Sequence, residues 1–411
     1  MNQSFDPLSF FTPQDVKNDA PYMTTSTTIS TTTTEPTIKV ESLNIIIAES
    51  STKTNSNVTD NEKIDDEEEE VDEDLIIHVL DLPYLTKNLP VEVLITILKL
   101  LKPEEETNFG SNGVHTDDSR TLEEILEFKE ISKDEYFSSK DWLNLNGYSK
   151  LAKNLCHIHF SSNFFQYLNK ILSSSFASND TVLMLASLRI SENCGRTARP
   201  NFQRKILLKD FDKSINLFEP ALTSDNLGLK TWGSSLILSE LIVEEHNDLI
   251  LEPVLELGSG TGLCGITINL LGYNDVILTD LPEILPNLSK NIELNECSAQ
   301  CEVLDWTNPS SFLNKRGDDI KFNTIVIADP IYSSDHPTWV VNMMSKFLAQ
   351  NKDARILLQI PIRKTFEKER SKLWSLLQEH RFSILNERII DGYDDFGAQK
   401  FIYKELRWSN L

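Results

Sequence analysis

Cysteine is scarce in this chain, with five residues among 411. No two of them are spaced as C-x-x-C, and Cys297 and Cys301 have no histidine partner at the spacing of a zinc finger. A metal site is therefore not expected. A few unpaired thiols are typical of a reducing compartment, so the sequence predicts a cytoplasmic protein with free cysteines.

Long apolar runs and positive charge are scarce as well. No run reaches the length that crosses a bilayer, and the polar N-terminus resembles neither a signal nor a transit peptide, so no membrane association is expected. Lys and Arg number 39 against 63 Asp and Glu, for a formal net charge of −24. Such a chain repels phosphate backbones, which argues against direct nucleic-acid binding and favours a basic or lysine-bearing protein partner. The chain is expected to be a monomer.

Composition divides the chain into three parts. Residues 1–74 contain threonine repeats and a long acidic run at 65–74, and they are predicted to form a disordered tail. This tail is interpreted either as a docking segment for a basic surface or as a solvated linker. Residues 75–199 are predicted to form a mainly helical domain, and residues 200–411 a domain in which strands and helices alternate.

Helix signals support the second part. Residues 89–101 place apolar side chains at helical spacing between two prolines, and Thr121 with Glu124 matches a capping box. Further amphipathic helices are predicted at 148–174 and 181–190. The opening L-P-x-E of the first helix resembles the start of an F-box, but the acidic and Gly/Asn/Ser-rich stretch that follows argues against an adaptor role.

The most informative block is the glycine-rich sequence V-L-E-L-G-S-G-T-G at residues 254–262. An apolar strand that runs into alternating glycines is typical of a loop that lies against a ligand. A Cβ would keep the ligand from the backbone, and tight strand-to-helix turns often need φ > 0. The residues after this block predict a helix whose free N–H groups face the loop. The chain is therefore expected to bind a nucleotide-like small molecule.

Two cofactors fit this glycine pattern. Gly260, Gly262 and Gly265 match the dinucleotide fingerprint G-x-G-x-x-G, with an acid twenty positions after the first glycine at Asp280, which would indicate NAD. The overlapping pattern E-x-G-x-G-x-G indicates S-adenosylmethionine, and its positions are Glu256, Gly258, Gly260 and Gly262. With either cofactor, Asp280 at the end of the second predicted strand would hold the ribose hydroxyls.

Three further features favour S-adenosylmethionine. Asp305 and Trp306 follow an apolar strand and would supply the hydrogen-bond acceptor and the flat surface that an adenine needs. Asp329 and Tyr332 stand at the tip of another buried strand, where the side chains of a parallel sheet face its ligand. Trp232 precedes a helix that leads into the glycine-bearing strand, so it would cover one side of the cofactor.

The last part of the sequence predicts how the sheet is completed. Residues 382–390 and 400–408 are predicted strands, and the loop 391–397 joins them without a helix. This implies an antiparallel hairpin that closes an otherwise parallel sheet, which an NAD-binding fold would lack. Tyr393 and Phe396 in this loop are expected either to line a slot for the substrate or to pack and bind a partner surface.

With these residues assembled, the chain resembles the seven-β-strand protein-lysine methyltransferases, whose hallmarks are E-x-G-x-G-x-G and [DE]-x-x-Y. It is most similar to the fungal branch that methylates translation elongation factors. The similarity spans roughly residues 185–408 and includes N-C-G-R-T-A at 193–198. It implies an α/β fold: a Rossmann-like, seven-stranded class I methyltransferase sheet with a C-terminal antiparallel hairpin, preceded by the helical domain and the disordered acidic tail.

The resemblance also implies the chemistry. The expected activity is S-adenosylmethionine-dependent methyl transfer to a lysine of an elongation factor, with Asp329 and Tyr332 as the catalytic tip that orients the amine. Motif and resemblance together place the cofactor against Trp232, Glu256, Gly258, Ser259, Gly260, Gly262, Asp280, Asp305, Trp306 and Ala328. Ile331 departs from the [ND]-P-P-[YF] motif of amino methyltransferases that act on nucleobases or glutamine. Methylation of a nucleobase or small molecule and a non-catalytic interaction module stay open as alternatives.

Overall fold

Residues 77–192 are mainly helical. In the computed structural model of the protein, the described residues are 77–103, 106–109, 120–223 and 226–409, so the predicted tail at 1–74 lies outside them. The helices of this region are α1 (Val91–Leu100), α2 (Leu122–Phe128), α3 (Lys133–Leu145), α4 (Ser149–Lys153), α5 (Phe164–Leu172) and α6 (Asp180–Glu192). They enclose one hydrophobic core, at whose centre Leu94, Ile97 and Leu98 of α1 are fully buried.

The helix signals in the sequence are confirmed, with one correction. Thr121 and Glu124 form the predicted capping box at the start of α2. The helix predicted at 148–174 is two helices, because the chain leaves the helical path between α4 and α5. The side chain of Asn154 donates to the carbonyl of Lys150 and ends α4, and polar residues precede Phe164 where α5 begins.

A small three-stranded sheet follows where the sequence predicted regular alternation from residue 200. Its strands are β1 (Glu106–Thr107), β2 (Phe202–Leu207) and β3 (Ser214–Glu219), with β1 parallel and β3 antiparallel to β2. The alternation of strand and helix therefore begins only with α7 (Gly233–Leu249) and β4 (Val254–Leu257).

The main sheet has seven strands in the order β6-β5-β4-β7-β8-β10-β9. After β4 come β5 (Val276–Asp280), β6 (Gln300–Val303), β7 (Thr324–Ala328), β8 (Arg355–Pro361), β9 (Phe382–Asp394) and β10 (Gly397–Trp408). The strands from β4 to β8 are parallel, and β10 is antiparallel to both β8 and β9. The predicted class I methyltransferase sheet with a C-terminal hairpin is confirmed.

Each face of the sheet carries its own hydrophobic core. Val254 and Leu255 of β4 belong to different cores, because alternate side chains of a strand point to opposite faces. Helices α7, α8 (Leu263–Leu270) and α9 (Leu285–Leu294) contribute to the first core; α10 (Ser310–Arg316), α11 (His336–Phe347) and α12 (Glu367–Glu379) contribute to the second. With both faces covered, the parallel strands read as continuous apolar runs.

The hairpin is longer than the sequence predicted. The loop expected at 391–397 is mostly strand, since β9 continues to Asp394 and β10 resumes at Gly397. One of the aspartates that suggested a loop, Asp391, has a cross-strand partner in the hairpin, since Nζ of Lys400 lies 2.8 Å from its Oδ1. The hairpin tip packs against the start of α7, where a Cβ on Gly233 would lie 2.7 Å from the carbonyl of Tyr393.

Several predicted properties can be compared with the described residues. All five cysteines lie among them and are free thiols. In the described ranges, no cluster of three or more His, Cys, Asp or Glu is arranged to hold a metal ion, and no helix has the length and apolar character to cross a membrane. The described residues fall in one compact unit. A domain boundary at residue 199 stays a prediction.

Candidate active site

A cavity of about 620 Å³ opens at the carboxyl ends of β4, β5 and β7, where the strand order of the sheet reverses. In open α/β sheets this is the position of the ligand. Eleven of the twelve predicted site residues line it, namely Trp232, Glu256, Gly258, Ser259, Gly260, Asp280, Asp305, Trp306, Ala328, Asp329 and Tyr332. Gly262 does not.

The glycine loop between β4 and α8 forms the floor of the cavity. Gly258 and Gly260 have φ of +69° and +57°, a conformation that glycine adopts without strain. A Cβ on Gly260 would lie 2.9 Å from the carbonyl oxygen of Gly228, and one on Gly258 would lie 3.0 Å from the ring of Trp306. The glycines therefore let the protein pack on itself as well as leave the backbone open to a ligand.

Gly262 packs against the protein itself and does not line the cavity, and its predicted contact with the cofactor stays a prediction. It caps α8 with φ +88°, and a Cβ there would lie 2.5 Å from Cδ1 of Leu288. The motif spacing placed it correctly at the strand-to-helix turn. The spacing gave no information on which side of the turn faces the cavity.

Two carboxylates on this side of the cavity, the buried Glu256 and the half-buried Asp280, are held by backbone N–H groups. Glu256 accepts from the N–H of Gly265 at 3.1 Å, and burial raises the pKa of its side chain to about 8. Asp280 accepts from the N–H groups of Gly260 and Leu281, each at 2.8 Å. Burial raises the pKa of Asp280 to about 6, although these two donors oppose the shift.

Ser259 and Asp305 have partners within the protein. The hydroxyl of Ser259 accepts from the N–H of Thr279 at 3.0 Å, which ties the loop to β5. Oδ1 of Asp305 accepts from both the N–H and the hydroxyl of Thr307, at 2.8 and 2.6 Å, and these bonds hold the pKa of Asp305 below its usual value. The carboxylate is thus fixed in its ionised, accepting form beside Trp306.

Trp232 forms a wall of the cavity together with the hairpin tip. It is the N-cap residue of α7 and donates from Nε1 to the carbonyl of Leu227 at 3.2 Å. Its ring stacks on Phe396 with centroids 6.1 Å apart. Thr231, which a helix-capping rule would place at the N-cap, instead shares a hydrogen bond of 2.9 Å with Thr261.

Asp329 follows β7 in an unusual backbone conformation. Its φ is +52°, a left-handed conformation that costs about 1–2 kcal/mol for most residues with a Cβ and that Asp tolerates better than most. Arg363, just after β8, donates from Nη1 and Nη2 to the two carboxylate oxygens of Asp329 at 3.0 and 2.8 Å. The pair is mostly buried, with side chains 13% and 5% exposed for Arg363 and Asp329.

Tyr332 belongs to an aromatic cluster at the mouth of the cavity. Its ring meets the edge of His336 at 4.1 Å, and His336 in turn lies near Trp306 and Trp339 at 6.2 and 5.4 Å. Desolvation, with the nearby carboxylates Asp280 and Asp329, raises the pKa of Tyr332 to about 12. Its hydroxyl therefore stays protonated at neutral pH and cannot act as a general base there.

Behind the hairpin tip lies a buried charge cluster that the sequence did not predict. Lys230 and Arg204 contact Asp395 at 2.7 and 3.0 Å. Arg204 also contacts Glu219 at 2.6 Å, and Arg196, from the N-C-G-R-T-A segment, contacts Glu219 at 3.1 Å. Burial alone would raise the pKa of Asp395, but Lys230 and Arg204 hold it below its usual value. The cluster anchors the tip that carries Phe396.

Sequence reasoning missed Arg363, Lys230 and His336. One signal was available for Arg363. It follows β8, and β8 is parallel to β7, so residues just after the two strands meet at one edge of the sheet. No comparable local signal marks Lys230, because its partner Asp395 is brought near only by the hairpin.

The cavity fits the predicted adenosine-bearing cofactor. It offers a glycine-lined floor without Cβ atoms at Gly258 and Gly260, a carboxylate at the tip of β5 for a ribose, and a fixed acceptor beside an indole for an adenine. Its volume is within the range of small-molecule sites.

Comparison with known proteins gives consistent matches. A family model described as "Lysine methyltransferase" matches residues 211–378. The "Protein-lysine N-methyltransferase EFM2" of Saccharomyces cerevisiae is 38% identical over 98% of this chain and 99% of its own length. "EEF1A lysine methyltransferase 3" of Xenopus tropicalis is 41% identical over 20% of this chain and 38% of its own length.

Among solved structures, a Pyrococcus abyssi tRNA (uracil-54, C5)-methyltransferase in complex with S-adenosyl-L-homocysteine is similar to this chain. The TM-score is 0.34 at 18% sequence identity, and the match covers 51% of this chain and 45% of that chain.

Proposed function

This chain belongs to the protein-lysine N-methyltransferases, and we propose that its acceptor is a lysine ε-amine of a translation elongation factor. The full-length similarity to EFM2 supports the first element, a lysine in a protein. The partial similarity to a relative named for EEF1A supports the second. An acceptor of this kind would be met in the cytoplasm, where we also place the enzyme.

S-adenosylmethionine is the methyl donor, and when bound it supplies a methyl group already activated by a positive sulfur. In the transfer, the lysine nitrogen forms a bond to the methyl carbon, the carbon–sulfur bond breaks, and its electron pair stays on sulfur. One N–H proton then leaves to water. Little covalent chemistry remains for the protein, so its task is to align the two reactants, which is worth about 7–11 kcal/mol of the barrier.

On the cofactor side we assign binding to the glycine loop and to residues at the carboxyl ends of β5, β6 and β7. Asp280 would hold the ribose hydroxyls, Asp305 the adenine amino group, and Trp306 and Trp232 would enclose the ligand. These assignments are supported by the place of all four side chains on one cavity. Gly262 has no part in them.

On the acceptor side we assign orientation of the amine to Asp329 and Tyr332. Asp329 is held rigidly by its backbone and by Arg363. Tyr332 stays a neutral phenol that can donate or accept one hydrogen bond. The observation that carries the proposal is that these two side chains line the same cavity as the glycine loop, next to Trp232, Trp306 and Trp339. Such an aromatic slot desolvates the amine and lowers its pKa.

The test uses labelled S-adenosylmethionine and a lysate of Saccharomyces cerevisiae that lacks EFM2. Wild-type protein should label one band that mass spectrometry identifies as an elongation factor, and Asp329→Ala should not label it. Label in a different protein would contradict the proposed acceptor and leave lysine methylation intact. Label in RNA or small molecules alone would contradict both.

A further inference from the structure

Both oxygens of the Asp329 carboxylate are already bound in this structure. Arg363 spans them with two parallel hydrogen bonds of 3.0 and 2.8 Å, the fork geometry in which guanidinium and carboxylate pair most strongly. Each carboxylate oxygen has a second lone pair. Asp329 can therefore still accept a hydrogen bond from a group in the cavity while its charge is compensated.

This arrangement bears on a problem that lysine methylation must solve. The attacking nitrogen has to be neutral, whereas a free lysine has a pKa near 10.4. An ionised carboxylate within about 4–6 Å of the amine stabilises the ammonium form and moves its pKa further up, by about 1–3 units. A lone carboxylate at the position of Asp329 would thus orient the amine and inactivate it at once.

We propose that Arg363 is a positioning residue of methyl transfer, whose guanidinium cancels the charge of Asp329 so that the carboxylate holds the lysine amine without stabilising its ammonium form. The inference rests on the proposed function and adds to it the means by which the nucleophile stays neutral.

The surroundings fix Arg363 in this role. Its guanidinium lies 5.3 Å from the ring of Trp232 and 3.9 Å from a carboxylate oxygen of Asp394 on the hairpin. Its carbonyl accepts from Arg370 of α12 at 3.1 Å. The guanidinium is therefore enclosed by α7, β9 and the Asp329 turn, and has little freedom to leave the carboxylate.

Other charged and titratable groups also face the acceptor end of the cavity. Asp280 and Glu283 approach from the turn after β5, Lys230 from the turn before α7, and Tyr332 and His336 from the turn after β7. None of them is hydrogen-bonded to the carboxylate of Asp329 among the described contacts. Arg363 is the cation that meets it directly.

The test is the pH dependence of the single-turnover rate, measured on whichever protein the wild type labels in the lysate. A single-turnover rate reports ionisations of the bound complex. In Arg363→Gln, the acid limb of this profile should move up by about 1–3 pH units, so the rate at pH 7 should fall about 10- to 1000-fold and recover at higher pH.

Two further variants separate charge from shape. Arg363→Lys keeps the charge and loses the fork, so its limb should stay near that of the wild type with a lower plateau. Arg363→Gln combined with Asp329→Asn removes the uncompensated charge, and its limb should return toward the wild-type pH. Arg388→Gln is the matched control, since Arg388 makes an equally bidentate pair with Glu245 at 2.7 and 3.0 Å outside the cavity.

Each outcome decides something different. Equal rate loss at every pH in Arg363→Gln, with no movement of the limb, would show a purely structural role and overturn the inference. If Arg363→Gln does not fold, the inference is decided by the acid limbs of the pH profiles of Arg363→Lys and of the double variant. A labelled protein other than an elongation factor would overturn only the proposed acceptor. No labelling of any protein by the wild type would overturn the function and this inference together.

Discussion

The two sides of the cavity stabilise their buried carboxylates by different means. On the cofactor side, Glu256 and Asp280 are met by backbone N–H groups, and burial raises the pKa of both. On the acceptor side, Asp329 is met by the guanidinium of Arg363, and behind the hairpin tip Asp395 is met by Arg204 and Lys230. Backbone donors satisfy an oxygen without neutralising its charge, whereas a cation does both.

The difference also appears along the sequence. Glu256 and Gly265 are nine positions apart, and Gly260 and Asp280 are twenty apart. Asp329 and Arg363 are 34 positions apart, and Arg204 and Asp395, behind the hairpin tip, are 191 apart. A site for one unchanging small molecule can be built from a single strand–loop–helix unit. The charged pairs of Asp329 and Asp395 join segments that are farther apart in the chain.

The largest effect is expected when a carboxylate is removed from the charge cluster behind the hairpin tip. Asp395→Asn removes the carboxylate that Arg196, Arg204 and Lys230 all contact, and we expect a loss of about 3–5 kcal/mol in the free energy of unfolding, the usual cost of an uncompensated buried charge. Lys230→Met leaves two cations for two carboxylates and should cost far less. Urea unfolding measures both.

The control for that prediction is Asp391→Asn, which breaks an ion pair in the same hairpin. Lys400 and Asp391 are 61% and 80% exposed, so the change should be within about 1 kcal/mol. If Asp395→Asn were as mild as this control, the buried cluster would have no special role in stability.

The next prediction tests whether methyl transfer and cofactor binding depend on different sides of the cavity. Asp329→Ala should lower the single-turnover rate about 100-fold or more through lost alignment of the amine. The affinity for S-adenosylhomocysteine, measured by calorimetry, should stay nearly the same. Asp335→Ala, an exposed aspartate close by in sequence that does not line the cavity, is the control. A comparable loss of cofactor affinity in Asp329→Ala would mean that the sides are not separable.

A smaller effect is expected on the cofactor side. Asp280→Asn should weaken S-adenosylhomocysteine binding about 10-fold, because hydrogen bonds to a charged acceptor are worth about 1.5–3 kcal/mol. In the wild type, affinity should fall as the pH drops through about 6, where Asp280 takes up a proton. Asp275→Asn, at the opposite end of β5, should show neither change. Affinity that is flat from pH 5 to 8 would argue against Asp280 as the ribose ligand.

The last prediction is a pH-dependent effect on stability. The pKa of Glu256 is raised from 4.5 to about 8, so the folded protein binds the extra proton between these values and its stability decreases as the pH rises through that window. Glu256→Gln does not bind this proton. The Tm of the variant relative to that of the wild type should therefore rise as the pH is raised from 5 to 8. The exposed Glu379→Gln should follow the wild type at every pH, and a Glu256→Gln difference that stays constant with pH would contradict the assignment.

The sequence predicted the residues that local patterns place, and it did not predict the pairs that depend on contacts between distant segments. The E-x-G-x-G-x-G block, Asp280 and Asp305–Trp306 were predictable because local strand and turn patterns determine where they lie. Gly262 lies at the predicted strand-to-helix turn but does not line the cavity, and spacing alone does not distinguish a glycine that faces a ligand from one that packs against Leu288. The pairing of Asp329 with Arg363 was not predicted, because it depends on which strands become neighbours.

The hairpin shows the same limit from the side of secondary structure. Asp391, Asp394 and Asp395 have low strand propensity, and in isolation they indicate a loop. The first two are strand residues here because Lys400 and Gln399 of β10 contact them within the hairpin and Arg363 contacts Asp394 from the end of β8. Such contacts cannot be seen in a window of neighbouring residues.

The place of β10 between β8 and β9 has a consequence for the order of assembly. All other strands of the sheet leave the ribosome before β10, the strand that joins the hairpin to β8. Until then β8 presents an open edge, which is a site for mispairing with other chains. Phe396 and Asp395 also arrive late, so the nascent chain can form its glycine loop while the wall beside Trp232 is still missing. The wall that Phe396 forms with Trp232 is therefore completed only when the hairpin has been made.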